Sequence, residues 1–135
     1  MSARSIFARL AACTPVHVAC GFLAMGGWAV WVNSGHGAQA AVTAGLVQGT
    51  ISGALTLGLK RTVDWLRPRM RGALAYVAPP LIAAGCSALL LILAHGLAGT
   101  PRIWATIAVP LIVSICYIFT YNILRQSQSD RTPYA

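Results

Sequence analysis

The sequence predicts an all-α membrane protein of four transmembrane helices, arranged as two helical hairpins with both termini on the cytoplasmic side. Three observations predict it: four apolar stretches of bilayer-crossing length, a lopsided distribution of basic residues among their connections, and aromatic residues gathered at their ends. Composition sets the frame. Of 135 residues, 57% are hydrophobic and 9% charged, against about 25% charged in an ordinary soluble domain. A chain this short has too little interior to hide that much apolar surface from water, so lipid is the expected solvent and residues 1–135 are expected to form a single transmembrane domain.

The spans are expected at about 14–32, 38–59, 74–97 and 103–124. Each is near the ~20 residues that cross ~30 Å of hydrocarbon at ~1.5 Å per residue, and none contains Asp, Glu, Lys or Arg. Pro15 suits the first turn of the first span, where its missing N–H costs nothing. The preceding Leu10-Ala11-Ala12-Cys13 has the outline of a lipoprotein cleavage box. The apolar stretch before it is only 5–10, interrupted by Arg9, which is too short for a signal-peptide core, so cleavage there is not expected.

The connections differ in charge. Segment 33–37 and segment 96–102 are short and rich in glycine, whereas the loop 60–73 carries Lys60, Arg61, Arg67, Arg69 and Arg71. With Arg4 and Arg9 before the first span and Arg125 and Arg131 after the last, nine basic residues lie on one side and Arg102 alone on the other. Basic residues near span ends are retained in the cytoplasm. The style is that of a bacterial inner membrane protein, with 126–135 as a short mobile tail. Trp28, Trp31 and Trp104 fall at the expected outer ends, and Trp65, Tyr76, Tyr117 and Tyr121 toward the inner ends, as interfacial belts require. The formal charge of +8 punctuates apolar runs rather than covering a soluble surface, so anionic lipid headgroups are the expected partners and nucleic acid is not.

The second span holds the candidate site. Gly45, Gly49 and Gly53 recur every four residues and share one helix face, extended outward by Ala41; in a membrane such a stripe lets another helix approach closely. Beside it run Gln48, Ser52 and Thr56. Ser and Thr can bond their own backbone one turn back, but Gln48 would leave an unpaired amide in hydrocarbon at a cost of a few kcal/mol. The combined face is therefore expected to meet protein, for helix packing or, alternatively, to line a path. Pro79-Pro80 and Pro110 each free a carbonyl one turn earlier, which neighbouring helices must satisfy.

The remaining reactive groups point away from chemistry. Cys13, Cys20, Cys86 and Cys116 form no CxxC pair and are read as small apolar residues. His36 and His95, each before a glycine, read as polar residues of outer interfacial turns; bis-histidine ligation of a haem or metal would lack any carboxylate to orient the rings. His36-Gly37 with Arg61 and His95-Gly96 with Arg125 give the two halves a loose likeness. Asp64, flanked by Lys60, Arg61 and Arg67, reads as a local ion pair. No span carries an ionisable residue other than histidine, which disfavours ion-coupled transport, and no nucleophile has a base nearby.

Three readings follow. The first is a non-catalytic accessory, assembly or scaffold subunit, without cofactor, packing against another membrane protein; a second copy of the chain is the alternative protein partner. The second is an oligomeric small-solute channel or facilitator lined by Gln48, Ser52 and Thr56. The third is a haem- or metal-binding subunit using His36 and His95. The basic residues of 60–73 would dock lipid headgroups or a partner.

Overall fold

A computed structural model describes residues 14–131, with the side chains of 15–127. The described residues form four long helices: α1 (Thr14–Asn33), α2 (Ala38–Leu66), α3 (Ala73–Leu97) and α4 (Ile103–Arg131). One turn of 3-10 helix, Ser34–His36, joins α1 to α2, and another, Arg67–Arg69, leads from α2 toward α3. All four helices are long and apolar enough to cross a membrane. Arg4, Arg9, Cys13 and the box at 10–13 lie outside the described residues.

Two boundaries differ from expectation. α2 runs on to Leu66, so Lys60 and Arg61 are helical and the non-helical connection is shorter than 60–73. α4 continues to Arg131, so helix extends into the segment 126–135. Both helices have 29 residues, about 43 Å at ~1.5 Å per residue. Charged side chains stop a hydropathic run without stopping a helix, since Lys, Arg and Gln are good helix formers.

The interior is small and polar, and the exterior is large and apolar. Buried positions include Ala29, Ala41, Ala44, Ala75, Ala83 and Ala84, with Gln48, Ser87, His95, Thr106 and Asn122 among them. Leu23, Leu46, Leu81, Leu93 and Leu97 face outward. This inverts the pattern of a protein solvated by water and matches helices that associate by close packing in an apolar solvent. One conventional cluster, Leu59, Val63, Ala83 and Ile118, packs toward the end that carries the basic residues, with Leu55, Phe119 and Tyr121 against it.

α2 organises the bundle: it touches α1, α3 and α4, while α1 and α3 share no contact among the described residues. The α1–α2 seam is the tightest. A Cβ placed on Gly49 would lie 2.8 Å from the Phe22 carbonyl oxygen, and one on Gly26 would lie 2.9 Å from the Gly45 carbonyl oxygen. Backbone meets backbone there, and only glycine permits it. Further along the seam, Gly53 faces Val18.

Candidate functional site

The sequence-predicted stripe divides into two faces. Gly45, Gly49 and Gly53 are buried against α1. Gln48 and Ser52, also buried, lie in a polar chain that reaches α3. Gln48 Nε2 donates to Ser52 Oγ at 2.8 Å, and Gln48 Oε1 lies 2.9 Å from His95 Nε2. His95 Nδ1 is 2.8 Å from Thr100 Oγ1. A neutral imidazole completes the chain in one way: Nε2–H donates to Gln48, and the Thr100 hydroxyl donates to Nδ1. Gln48 and His95 come from antiparallel helices, and helical side chains tilt toward their own N-terminus, so the two reach toward each other from different levels. Thr56 bonds the Ser52 carbonyl one turn back at 2.9 Å.

Backbone geometry delivers Thr100 to this chain. α3 is closed just past its C-cap Ala98 by Gly99, whose φ is +64°. The Gly99 N–H returns to the Gly96 carbonyl at 3.2 Å and the Thr100 N–H to the His95 carbonyl at 3.0 Å, the paired bonds of a Schellman cap. The cap folds Thr100 back beside the imidazole five residues before it. His95 is thus a buried member of a network, in the last turn of α3. His36, by contrast, is exposed, so the likeness between the two His-Gly pairs does not extend to their surroundings. Both His95 ring nitrogens are engaged, and among the described residues no group of three His, Cys, Asp or Glu is placed to hold a metal ion.

Further polar contacts tie the helices together. At one end Asn33 is fully buried; its Nδ2 donates to Thr106 Oγ1 at 2.8 Å, and its Oδ1 accepts the Arg102 N–H at 3.2 Å. Trp28 Nε1 reaches the Ala105 carbonyl at 3.1 Å beside it. At the other end Asn122 Nδ2 donates to the Ala75 and Tyr76 carbonyls at 3.0 and 2.9 Å, and Gln126 Nε2 to Ala75 at 3.1 Å. Those are the carbonyls one turn before Pro79 and Pro80, which have no N–H to offer. α4 supplies the donors that two consecutive prolines remove from α3.

Asp64 departs from its expected role. Its partners are on α4: Tyr121 Oη donates to Oδ2 at 2.8 Å, and Arg125 Nε lies 3.5 Å from Oδ1. An exposed pair at that distance adds little stability, but it fixes which faces of α2 and α4 meet. The basic residues collect at the same end. Arg67 Nη1 donates to the Arg125 carbonyl at 3.0 Å, Arg69 stacks 3.8 Å above the Trp65 ring and donates to the Trp65 carbonyl, and Arg61 and Arg71 are exposed. Lys60 Nζ stands 5.8 Å from both the Tyr117 and the Tyr121 ring centres. Cys20, Cys86 and Cys116 are free thiols on the outer surface.

Residues of α1, α2 and α4 together line a cavity of about 220 Å³. Met25, Leu55, Leu59 and Val113 make it apolar, and Ser52, Thr56 and Ser114 add hydroxyls to its wall. His17 and Tyr117 also line it.

Sequence reasoning missed Asn33, Thr100, Asn122 and Gln126. A signal existed for one: Asn122 is an amide within the fourth apolar span, subject to the same cost as Gln48, and Pro79-Pro80 announces a need for donors. No protein-family model, curated protein or solved structure matches this chain.

Proposed function

We propose that this chain is a non-catalytic multi-pass protein of the bacterial cytoplasmic membrane, an accessory, assembly or scaffold subunit that packs against another membrane protein. In this reading α1–α2 and α3–α4 are two helical hairpins of one transmembrane domain. Both termini and the basic connection lie in the cytoplasm, and Asn33, His36 and Arg102 lie on the opposite side. The nine-to-one division of basic residues supports that orientation.

The observation that carries the reading is the closure of Gln48 on His95 at 2.9 Å. It engages the one long polar side chain of the small-residue stripe within the chain itself, while the glycines of that stripe are covered by α1. The bundle is then complete internally, with apolar outer faces and a basic rim to present to neighbours. Gentle purification of the tagged protein from its native membrane, with mass spectrometry of what remains bound, tests it. A stoichiometric membrane-protein partner is the expected result; a clean homo-oligomer counts against the reading.

One observation favours a second reading, a small-solute facilitator: Ser52 and Thr56 line the cavity. That reading requires solute flux in proteoliposomes that Gln48→Leu abolishes, whereas the accessory reading expects altered assembly or stability and no flux.

A further inference from the structure

We propose that the cavity between α1, α2 and α4 is a binding site for an anionic phospholipid, which seats one acyl chain in the slot and sets its phosphate against Lys60. The inference needs a membrane around the chain, but it does not depend on a protein partner.

The size selects the occupant. The cavity of about 220 Å³ has room for several methylene groups, each close in volume to the ~30 Å³ of a water in the liquid. A second helix, ~10 Å across with its side chains, does not fit. Water is a poor filling, because a buried water needs two to four polar partners. The hydroxyls of Ser52 and Thr56 are already engaged within α2. Although His17, Ser114 and Tyr117 also line the cavity, the surface it exposes is mainly apolar, with Met25, Leu55, Leu59, Pro110 and Val113 among its walls. A flexible hydrocarbon chain matches both the volume and the lining.

Charge selects the headgroup. Tyr117 lines the cavity and also lies beneath the Lys60 ammonium, 5.8 Å from ring centre to Nζ. Lys60 follows Leu59, a wall residue, and stands one turn beyond Thr56, so its charge is at the mouth. The acid one turn further along α2, Asp64, is turned to Tyr121 and Arg125. Two aromatic faces steady the Lys60 ammonium without neutralising it, which leaves it for a phosphate oxygen. Lys60 belongs to the basic end of the bundle, where anionic headgroups concentrate at a cytoplasmic surface.

The test is native mass spectrometry of the full chain released from detergent micelles doped with dioleoyl phosphatidylglycerol or dioleoyl phosphatidylcholine. A single-lipid adduct is expected, formed preferentially with phosphatidylglycerol. Lys60→Gln is expected to reduce that preference about fivefold, the equivalent of roughly 1 kcal/mol per well-placed basic residue. Ser114→Phe, which fills the slot, is expected to remove the adduct with either lipid, and circular dichroism melts identify whether each variant remains folded. If Ser114→Phe unfolds, Val113→Phe replaces it. Adducts indifferent to both the headgroup and the filling substitution overturn the proposal, as does the absence of any adduct. Loss of the headgroup preference with the adduct retained in the filled variant also overturns it, because the lipid would then be bound on the outer surface.

Discussion

Gln48 and His95 stand 47 positions apart in sequence, and their side chains meet at 2.9 Å inside the bundle, near the end of α3. Each is fully buried, and each satisfies a group that the other would leave bare. A buried donor or acceptor without its partner costs about 1–3 kcal/mol. Gln48→Leu is therefore expected to destabilise the protein by about that much, and Gln48→Leu with His95→Leu by less than the sum of the two single changes. Unfolding in mixed micelles, followed by circular dichroism as denaturing detergent is raised, reads the coupling. Strict additivity would show that the pair does not interact.

The α1–α2 seam makes a sharper comparison, because one helix supplies both the test and its control. A Cβ on Gly49 meets the Phe22 carbonyl at 2.8 Å, whereas one on Gly58, on the same helix, meets nothing within 4 Å. Gly49→Ala is expected to lower the melting temperature. Gly58→Ala is expected to raise it, by up to about 1 kcal/mol of helix propensity. Equal effects would mean that the helices are not in backbone contact at Gly49.

Gly99 closes α3 in a left-handed conformation that other residues adopt at a cost of about 1–2 kcal/mol. Gly99→Ala is expected to destabilise by that order and also to loosen Thr100 from His95. The imidazole proton and nitrogen resonances of His95, assigned by comparison with a His95→Leu sample, should shift in Gly99→Ala and in Thr100→Val alike. Gly96→Ala serves as the control, since its added Cβ meets nothing within 4 Å.

The orientation proposed above is open to chemical labelling. Ser34 and Arg71 are exposed at opposite ends of the bundle. In intact spheroplasts, Ser34→Cys is expected to react with a membrane-impermeant maleimide and Arg71→Cys only after lysis. The reverse pattern would place both termini outside.

The four apolar helices were legible because hydropathy over twenty residues is a collective property, insensitive to any one side chain. Their ends were less so: Lys60 and Arg125 end an apolar run but not a helix, and α2 and α4 continue past them. Gln48 was legible as a residue in need of a partner, yet nothing local names His95, which reads on its own as a turn residue. Its burial comes with the Schellman cap at Gly99 and with the packing of α2 against α3. Asp64 shows the same limit. Lys60, Arg61 and Arg67 surround it in sequence, but Tyr121 and Arg125 sit opposite it in space, and proximity along a chain says little about which neighbour another helix brings.

The two prolines of α3 have a consequence for how the protein is made. α3 (Ala73–Leu97) leaves the ribosome ahead of Asn122 and Gln126, so the Ala75 and Tyr76 carbonyls reach the insertion site before their donors emerge. Until α4 emerges, α3 can rest stably only where water or the insertion machinery supplies those hydrogen bonds. Biogenesis of the second half is thereby coupled: α3 and α4 are expected to leave the translocon together, and a ribosome-stalled chain that exposes α3 but keeps Asn122 in the exit tunnel should remain extractable, whereas one stalled far enough downstream to expose Gln126 should not.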